Sequence, residues 1–463
     1  MKIHSTSLKG VGLLLLGLAT AGVGRTLAAD IDSLNLVSFA ESSSTNTVGT
    51  AVASPFKEEP ASTPVKAIAA EPAVAMDSPS YAAGDMSGYD SFSGAPGKIW
   101  FRGEYLHWWT SGAHLPPMVS TLTGAGVPET VFGDQTVYNG NHDGYRVAFG
   151  MWLDCQHRWG IETDYFDVSG KPCNYDNGFS DGWVNANAFP IVRVVYDPSP
   201  ALSPYNLQGD YIGEPGQTVG RIHVETSNYF QSAGITLRRQ LRASEWSTSN
   251  SEVNWTDPSA RTFRLDAIGG YRFARLIDTV NEQDDSFVYN SGQPNYLYDY
   301  NYTNNYRTVN NFNGGELGLN AVYTFGRWSL DVVGKAAIGG NNEYVSLYNQ
   351  QTTELSNYAG HGVPPAQSNP NPLQEFSRNR FSAIPELTVT AGYQVTDHLK
   401  CTVGYDLLYW SAVVRAADQI AVEPTTGYPY GTLLGNYNTL PAFSWNESHY
   451  FAEGLRLGAE LRF

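Results

Sequence analysis

Basic residues are scarce in this chain. Lysine and arginine together number 28, against 45 aspartate and glutamate residues, and the formal net charge is −17. Proteins that bind nucleic acid carry basic surfaces that neutralise phosphates, so the acidic balance argues against nucleic acid as a partner. Charged residues of both signs make up only 16% of the chain. A low charge content of this kind suits a protein with one apolar face.

Cysteine is also rare, and the three residues of this type are Cys155, Cys173 and Cys401. Export would permit a disulfide, but an odd number of widely spaced cysteines argues against a disulfide framework. Paired metal-ligand spacings such as CxxC with HxxxH do not occur in the sequence. The GxSxG, HExxH and nucleotide-loop motifs of common enzymes are missing as well. We therefore expect no metal, no cofactor, no catalytic residues and no enzymatic activity.

Long hydrophobic runs are missing beyond the N-terminus. Lys2 and Lys9 precede or flank a short apolar run at residues 11–19, and small residues near 26–29 offer a cleavage site. These features predict a secretory signal peptide at residues 1–29. No later stretch reaches the ~18 apolar residues of a transmembrane helix. The chain is therefore predicted to be exported, and any insertion into a membrane must use a β-barrel.

The last segment of the chain, residues 450–463, alternates clearly between two kinds of residue. Leu455, Leu457 and Leu461 share one face of an extended strand, and Arg456 and Glu460 share the other. Side chains of a strand alternate between its faces, so this pattern predicts apolar residues toward lipid and charges toward the interior. The segment ends at Phe463, which resembles the aromatic assembly signal of outer-membrane barrels.

Nine further segments have a similar length and pattern, which fits the ~9–11 residues that a tilted strand needs to cross a bilayer. The ten predicted strands are residues 99–109, 145–154, 159–166, 227–241, 262–273, 313–325, 328–339, 384–395, 399–410 and 450–463. Short turns at 155–158, 326–327 and 396–398 alternate with long connections at 110–144, 167–226, 274–312, 340–383 and 411–449. The connection at 242–261 is an exception, because it is long where the alternation calls for a short turn.

This layout predicts an all-β fold, a transmembrane antiparallel up-and-down β-barrel of about 10 strands (8–12) with long extracellular loops and short periplasmic turns. The barrel is predicted to occupy residues 98–463. Residues 30–97 are rich in Ala, Ser, Pro and Gly and show no strand or helix period, so we predict a disordered periplasmic segment there.

Aromatic residues gather near the ends of the predicted strands. A membrane barrel carries aromatic girdles at its two interfaces, and we predict such a girdle here. Its members are Trp100, Trp108, Trp109, Trp159, Tyr323, Phe325, Trp328, Tyr409, Trp410, Tyr450 and Phe451.

The face opposite the apolar one is charged and is predicted to line the lumen. The predicted lumen charge network comprises Arg102, Glu104, Arg146, Glu162, Asp164, Arg264, Asp266, Arg272, Asp331, Lys335, Glu386, Asp406, Arg456 and Glu460, and Arg238, Glu316 and Lys400 share this face. The face as a whole has eight basic and nine acidic residues, which nearly balance, whereas a charge-selective pore has one dominant sign. Glu162 and Asp164 lie side by side like a catalytic carboxylate pair, but the alternation explains them as lumen residues.

Several stretches of the first strands resemble a known family. They are Trp100, Glu104-Tyr105-Leu106 and Trp108-Trp109, then Leu115-Pro116-Pro117-Met118-Val119-Ser120-Thr121, then Gly144-Tyr145-Arg146 with Trp152-Leu153-Asp154, and Trp159-Gly160-Ile161-Glu162. In this order they resemble the planctomycete outer-membrane family named beta-barrel protein seven, over about residues 97–463. The resemblance implies an outer-membrane barrel of undefined function with no assigned catalytic residues.

We therefore expect an integral barrel of the cell outer membrane with a structural, surface-contact or limited small-solute passage role, its lumen plugged by paired charges. The expected partners are outer-membrane lipid and the barrel-assembly machinery. The alternatives are a porin, an outer-membrane enzyme with a site at the rim, such as an omptin-like hydrolase, and a secreted soluble β-sandwich or adhesin.

Overall fold

The structure is a computed structural model that describes ten stretches of the chain. They are residues 98–122, 128–178, 190–196, 207–214, 218–246, 260–289, 297–356, 367–368, 373–420 and 443–463. The predicted signal peptide at 1–29 and the predicted disordered segment at 30–97 lie outside the described residues.

Strands dominate these stretches, and one short helix interrupts them. In chain order the elements are β1 (Ile99–Thr110), β2 (Ala113–Leu115), β3 (Val119–Leu122), β4 (Pro128–Phe132), β5 (Gln135–Val137), β6 (Asn141–Trp152), β7 (Trp159–Gly170), β8 (Cys173–Asp176), β9 (Ile191–Tyr196), β10 (Leu207–Gly213), β11 (Thr218–Trp246), β12 (Arg261–Tyr289), β13 (Leu297–Phe325), β14 (Trp328–Ser356), β15 (Gln367–Ser368), β16 (Leu373–Gln394), β17 (Leu399–Val414), α1 (Ala416–Ile420) and β18 (Glu447–Arg462). Among the described residues, no helix has the length and hydropathy needed to cross a membrane.

Ten of the strands pair side by side into a closed antiparallel ring. The order around the ring is β1, β6, β7, β11, β12, β13, β14, β16, β17 and β18, and β18 pairs again with β1. Next to this seam, Ile99 and Phe463 exchange two backbone hydrogen bonds of 3.1 and 2.9 Å. A closed ring leaves no unpaired strand edge, which is the requirement for spanning a membrane with strands. The predicted up-and-down barrel is confirmed.

Side chains alternate around this wall as the sequence predicts. Phe101, Phe149, Leu237, Leu317 and Leu457 are among the large apolar residues exposed on the outer face. Their neighbours along each strand point inward and are buried or partly buried. The apolar outer belt runs over the parts of the strands that were predicted from bilayer length, so these parts are the membrane-spanning segments.

Three tight connections lie at one end of the ring, together with the first residue of β1 and the last of β18. Residues 153–158 join β6 to β7, residues 326–327 join β13 to β14, and residues 395–398 join β16 to β17. Gly326 adopts φ +53°, in the left-handed region where glycine avoids the strain of a Cβ atom. This end with short turns is the periplasmic end of the barrel, which we call the lower end.

The strands β11, β12, β13 and β14 are much longer than predicted. Each has 29 residues, about three times the number that a bilayer requires. The predicted loop at 274–312 is therefore largely strand, as are 340–356 and 373–383 of the predicted loop at 340–383. On β12 the alternation continues upward, with Leu276 and Val280 buried and polar Gln283 and Asp285 facing out. The prediction ended each strand where its outer face becomes polar, but the hydrogen-bond ladder continues into water.

The predicted loops at 110–144 and 167–226 contain further short strands. β10, β9, β3 and β4 form a small sheet, and β2 pairs with β5. β8 adds to the wall beside β11 above β7. Apolar side chains from these strands, from α1 and from the upper wall form one buried cluster, which includes Leu115, Val119, Ile212, Val345 and Ile420. We call this cluster the apolar cap, because it lies at the extracellular end.

Candidate functional site in the barrel lumen

All fourteen residues of the predicted charge network lie on the inner face of the barrel. Arg102, Asp164, Asp331 and Lys335 are partly buried and the other ten are buried, as are Glu316 and Lys400 on the same face. These sixteen residues occupy the lower half of the lumen, and we call them the charge layer.

Glu386 is the centre of the charge layer. Its carboxylate accepts a hydrogen bond from Arg272 and lies 3.4 Å from the guanidinium of Arg146 and 3.6 Å from Nζ of Lys335. Glu316 adds a second carboxylate, 3.3 Å from Arg272 and 3.4 Å from Lys335. These side chains come from β6, β12, β13, β14 and β16, so the ion pairs connect distant parts of the wall across the lumen.

The charge layer contains a second set of pairs. Glu162 lies 3.4 Å from Arg102 and 3.1 Å from Arg238, and it accepts a 2.8 Å hydrogen bond from Nε1 of Trp100. Arg456 contacts Glu104 at 3.2 Å and Asp406 at 3.4 Å. Arg264 donates to Asp266 at 2.8 Å, and Arg462 donates to Glu460 at 2.6 Å.

Two carboxylates and one amine of the charge layer are not paired in this way. Among the described side chains, Asp164, Asp331 and Lys400 have no ion-pair partner within 4.0 Å. One carboxylate oxygen of Asp331, Oδ1, is buried without a hydrogen-bond partner in the described part of the chain. The charge layer is therefore densely but incompletely paired.

Aromatic side chains fill the lumen directly above the charge layer. The buried cluster consists of Leu106, Trp108, Phe166, Val168, Phe230, Ala274, Leu276, Phe312, Ala337, Ile384, Leu408, Trp410, Val413, Tyr450 and Ala452, and we call it the aromatic layer. The ring centroid of Phe230 lies 5.0 Å from Phe166, 5.1 Å from Tyr450 and 5.9 Å from Trp410. Tilted and edge-to-face rings at these separations are favourable aromatic contacts.

Phe230 and Trp410 come from opposite sides of the barrel, because β11 and β17 are five positions apart in the ring of ten strands. Their contact therefore crosses the lumen completely. Neither side chain has any exposed surface. Arg146 joins this layer to the one below, since its guanidinium lies 5.2 Å from the ring centroid of Phe166 and 5.8 Å from that of Trp108.

The predicted aromatic girdle is wrong in four of its members. Trp100, Trp108, Trp410 and Tyr450 point into the lumen and are buried, whereas Trp109, Trp159 and Trp328 are exposed on the outer face. Strand-end position decided the prediction, but position along a strand does not determine the face. The alternation that placed Arg102 and Glu104 inside also places Trp108 inside, and this signal could have identified the aromatic layer.

A second polar layer lies above the aromatic one. Arg415 and Asp278 form a buried ion pair, and Asn228 donates to the same carboxylate. His142 has Nε2 3.1 Å from Oδ1 of Asn228 and Nδ1 2.7 Å from the carbonyl of Gly140. Burial is the largest influence on the pKa of His142 and lowers it from its ordinary value of 6.5.

The upper part of β17 turns into the lumen to form this polar layer. The register of β17 against β18 shifts between Trp410 and Val413, and Ala412 has φ +51°. Asn310 holds the displaced backbone by accepting from the amide of Val414 at 2.9 Å and donating to its carbonyl at 2.8 Å. The bulge therefore brings Arg415 and α1 over the aromatic layer.

Two cavities lie in the lower half of the lumen. One, of about 130 Å³, lies at the periplasmic mouth, with the turn residues Gly326 and Arg327 and the strand ends Gln394 and Arg462 among its walls. The other, of about 50 Å³, lies within the charge layer. Arg102, Glu162, Arg238 and Asp331 line both cavities.

Among the described residues, the histidines near the outer rim do not converge, as the site of a rim enzyme would require. His107 pairs with Asp143 on the outer face at 2.8 Å, and His114 lies 3.5 Å from Asp134. His449 stacks on Tyr409, and His361 lies outside the described residues. No group of three or more His, Cys, Asp or Glu suitable for a metal ion occurs within the described stretches. All three cysteines are free thiols.

Comparison with known proteins identifies the kind of barrel. A family model described as "Putative beta barrel porin-7 (BBP7)" matches residues 100–463. The outer-membrane protease OmpT of Escherichia coli is 11% identical, with 79% of this chain and 96% of that chain covered and a TM-score of 0.33. The P. putida toluene transporter TodX is 9% identical, with 81% and 93% covered and a TM-score of 0.23. No curated protein sequence matches the chain.

Proposed function

The chain belongs to the BBP7 family, and on that premise we propose that it is an outer-membrane barrel with a closed lumen and a structural, surface-contact or limited small-solute passage role. The chain resides in the cell outer membrane. The observation that carries the proposal is the contact between Phe230 and Trp410 across the lumen, at 5.9 Å between ring centroids. Side chains packed in this way support a closed lumen rather than a continuous water-filled channel.

The charge layer adds to the closure from below. Its ion pairs connect β6, β12, β14 and β16, so a solute that entered would have to separate buried charges. Removing one partner of a buried pair leaves an uncompensated charge, at a cost of about 3–5 kcal/mol. Passage is therefore limited to solutes small enough to leave these pairs intact.

The family description favours a second candidate, a porin that conducts freely. The two cavities at the lower end would then be the entrance of a channel. This alternative requires the aromatic layer to open, because rings from opposite walls meet in it. We propose no enzymatic activity, since the described rim histidines are dispersed.

Conductance in planar lipid bilayers separates the two candidates. Purified full-length protein is expected to show no large, stable single-channel openings, and the pair of substitutions Phe230→Ala and Trp410→Ala is expected to raise the small leak current above that of the unchanged protein. Tyr405→Ala, which removes an aromatic ring from the outer face, serves as the matched control and should leave this current unchanged. Large openings from the unchanged protein would overturn the closed lumen and favour the porin.

We also propose that outer-membrane lipid and the barrel-assembly machinery are its partners, with Phe463 as the assembly signal. The backbone of Phe463 completes the pairing with Ile99, and its ring is 65% exposed. Phe463→Ala keeps the backbone bonds and removes the ring, so the yield of heat-modifiable protein in the outer membrane should fall. Leu461→Ala, two residues away on the same face, is the control, and equal yields from both variants would refute the signal.

A further inference from the structure

The cavity at the periplasmic mouth differs in charge from the rest of the protein. Six basic and four acidic side chains line it, a surplus of two positive charges. The cavity above it has five basic and five acidic side chains, and the whole chain carries −17. A concave site of one sign concentrates counter-ions of the opposite sign. The mouth of this acidic protein therefore attracts anions.

Lys400 supplies the first donor of this cavity. Its side chain lines the mouth and only 7% of the residue is exposed, yet it has no ion-pair partner within 4.0 Å among the described residues. Glu460, its cross-strand neighbour on β18, and Asp331 compensate part of its charge from beyond this distance, and no side chain in the described stretches hydrogen-bonds to the ammonium group. Lys400 also lies against Gly392, where an added Cβ would meet its Cε at 2.1 Å. Glycine at this position of β16 leaves the room that the lysine side chain occupies.

Two guanidinium groups supply further donors. Arg102 and Arg238 share the single carboxylate of Glu162, so the three groups together carry one excess positive charge. Nε of both arginines is buried without a hydrogen-bond partner in the described part of the chain. Asp331 also lines the cavity. It is one of the four acidic residues already counted against the six basic ones, so the lining keeps its surplus of two positive charges.

The cavity has room for more than water. Its volume of about 130 Å³ is far above the ~10–15 Å³ that one water molecule needs on the same measure. Its wall includes Trp100, held by its hydrogen bond to Glu162, and Trp152, whose ring lies 4.2 Å from the guanidinium of Arg264. The indoles and the ion pairs hold the wall in a fixed shape.

We propose that this cavity binds a small doubly charged oxyanion from the periplasm, either phosphate or a short dicarboxylate, with Lys400, Arg102 and Arg238 as its ligands. Two negative charges match the surplus of the lining, and oxygen acceptors match the N–H donors that lysine and arginine side chains offer. The site lies below the aromatic layer, so the proposal stands whether or not the lumen conducts.

Titration calorimetry on the purified full-length protein in detergent tests the site, with inorganic phosphate and succinate as separate probes. Saturable binding of at least one is expected, while acetate and glycerol should bind at least tenfold more weakly or not at all. Tighter binding of phosphate would identify an oxyanion centred on one atom, and tighter binding of succinate would identify a dicarboxylate. Absence of saturable binding for both, or equal binding of acetate, would overturn the proposal.

Lys400→Met keeps most of the length of the side chain and removes its charge, and it should weaken binding about tenfold or more, as expected for one lost charge-assisted hydrogen bond. The variant should remain folded and heat-modifiable, because the neighbouring Glu460 keeps its 2.6 Å contact with Arg462. Lys171→Met, an exposed lysine beyond β7, is the matched control. Equal affinities of the two variants would remove Lys400 from the site. Arg238→Gln provides an independent variant with the same expected loss.

Discussion

The lower and upper halves of the lumen are filled in contrasting ways. Below, arginine, lysine and carboxylate side chains pair across the barrel and leave cavities of about 50 and 130 Å³. Above, aromatic rings pack at centroid distances of 5.0–5.9 Å around Phe230. The same strands supply both halves, and only the identity of the inward residues changes.

The contrast follows from the different requirements of charges and apolar rings. Each buried charge needs partners in particular directions, and an ion pair in a low-dielectric interior offsets its desolvation only with good geometry. The faces of aromatic rings have no such demand and can pack at the density of a protein core. Charges therefore connect specific strands to each other, whereas rings pack against one another in the remaining space.

The largest effect is expected from breaking the charge layer at its centre. Glu386→Gln removes the charge that faces Arg146, Arg272 and Lys335, so the free energy of unfolding should fall by about 3–5 kcal/mol. Urea unfolding in detergent, followed by tryptophan fluorescence, provides the measurement. Glu375→Gln on the exposed part of the same strand is the control. A loss no larger than that of the control would show that the charges do not stabilise the lower half.

The pair can also be removed as a unit. Glu386→Met combined with Arg272→Met should cost less than Glu386→Gln alone, because Arg146 keeps Asp406 and Lys335 keeps Glu316. Replacing both members of a buried pair by apolar groups is often neutral.

A slightly smaller effect is expected in the aromatic layer. Phe230→Ala removes the ring that contacts Phe166, Trp410 and Tyr450, and we expect a loss of about 3 kcal/mol in the free energy of unfolding. The same urea titration measures it. Phe149→Ala on the outer face, where 47% of the residue is exposed, should cost less. If the outward change were the more damaging one, the layer would not be a packed core.

The smallest effect concerns pH and the polar layer above the rings. The pKa of His142 is lowered mainly by burial, so below about pH 6.5 the unfolded chain binds a proton that the folded chain does not. Stability should therefore fall as pH drops from 7.5 toward 5, with Arg415 adding to the cost of a second positive charge. The heat-modification temperature of the unchanged protein is compared with that of His142→Asn across this range. An identical pH slope in both would exclude His142 as the cause.

Much of the barrel wall could be predicted from residue order alone. Alternation with period 2 assigns a face to every residue of a strand, which is why the fourteen predicted lumen residues all lie on the inner face. The level of a side chain along the barrel axis is harder to predict, because it depends on the register between strands. The pairing of Arg146 with Glu386, separated by 240 positions, has no local signal. The same limitation concealed the contact between Phe230 and Trp410.

The sequence by itself determined an antiparallel transmembrane barrel of ten strands, its lipid-facing surface and its charged inner face, because these follow from local alternation, strand length and turn chemistry. Only the tertiary structure decided that β11 to β14 continue above the membrane, that β17 bends inward at Ala412, and that rings from opposite walls meet in the lumen. These features depend on ring closure and strand register, which bring together residues that no period along the chain connects.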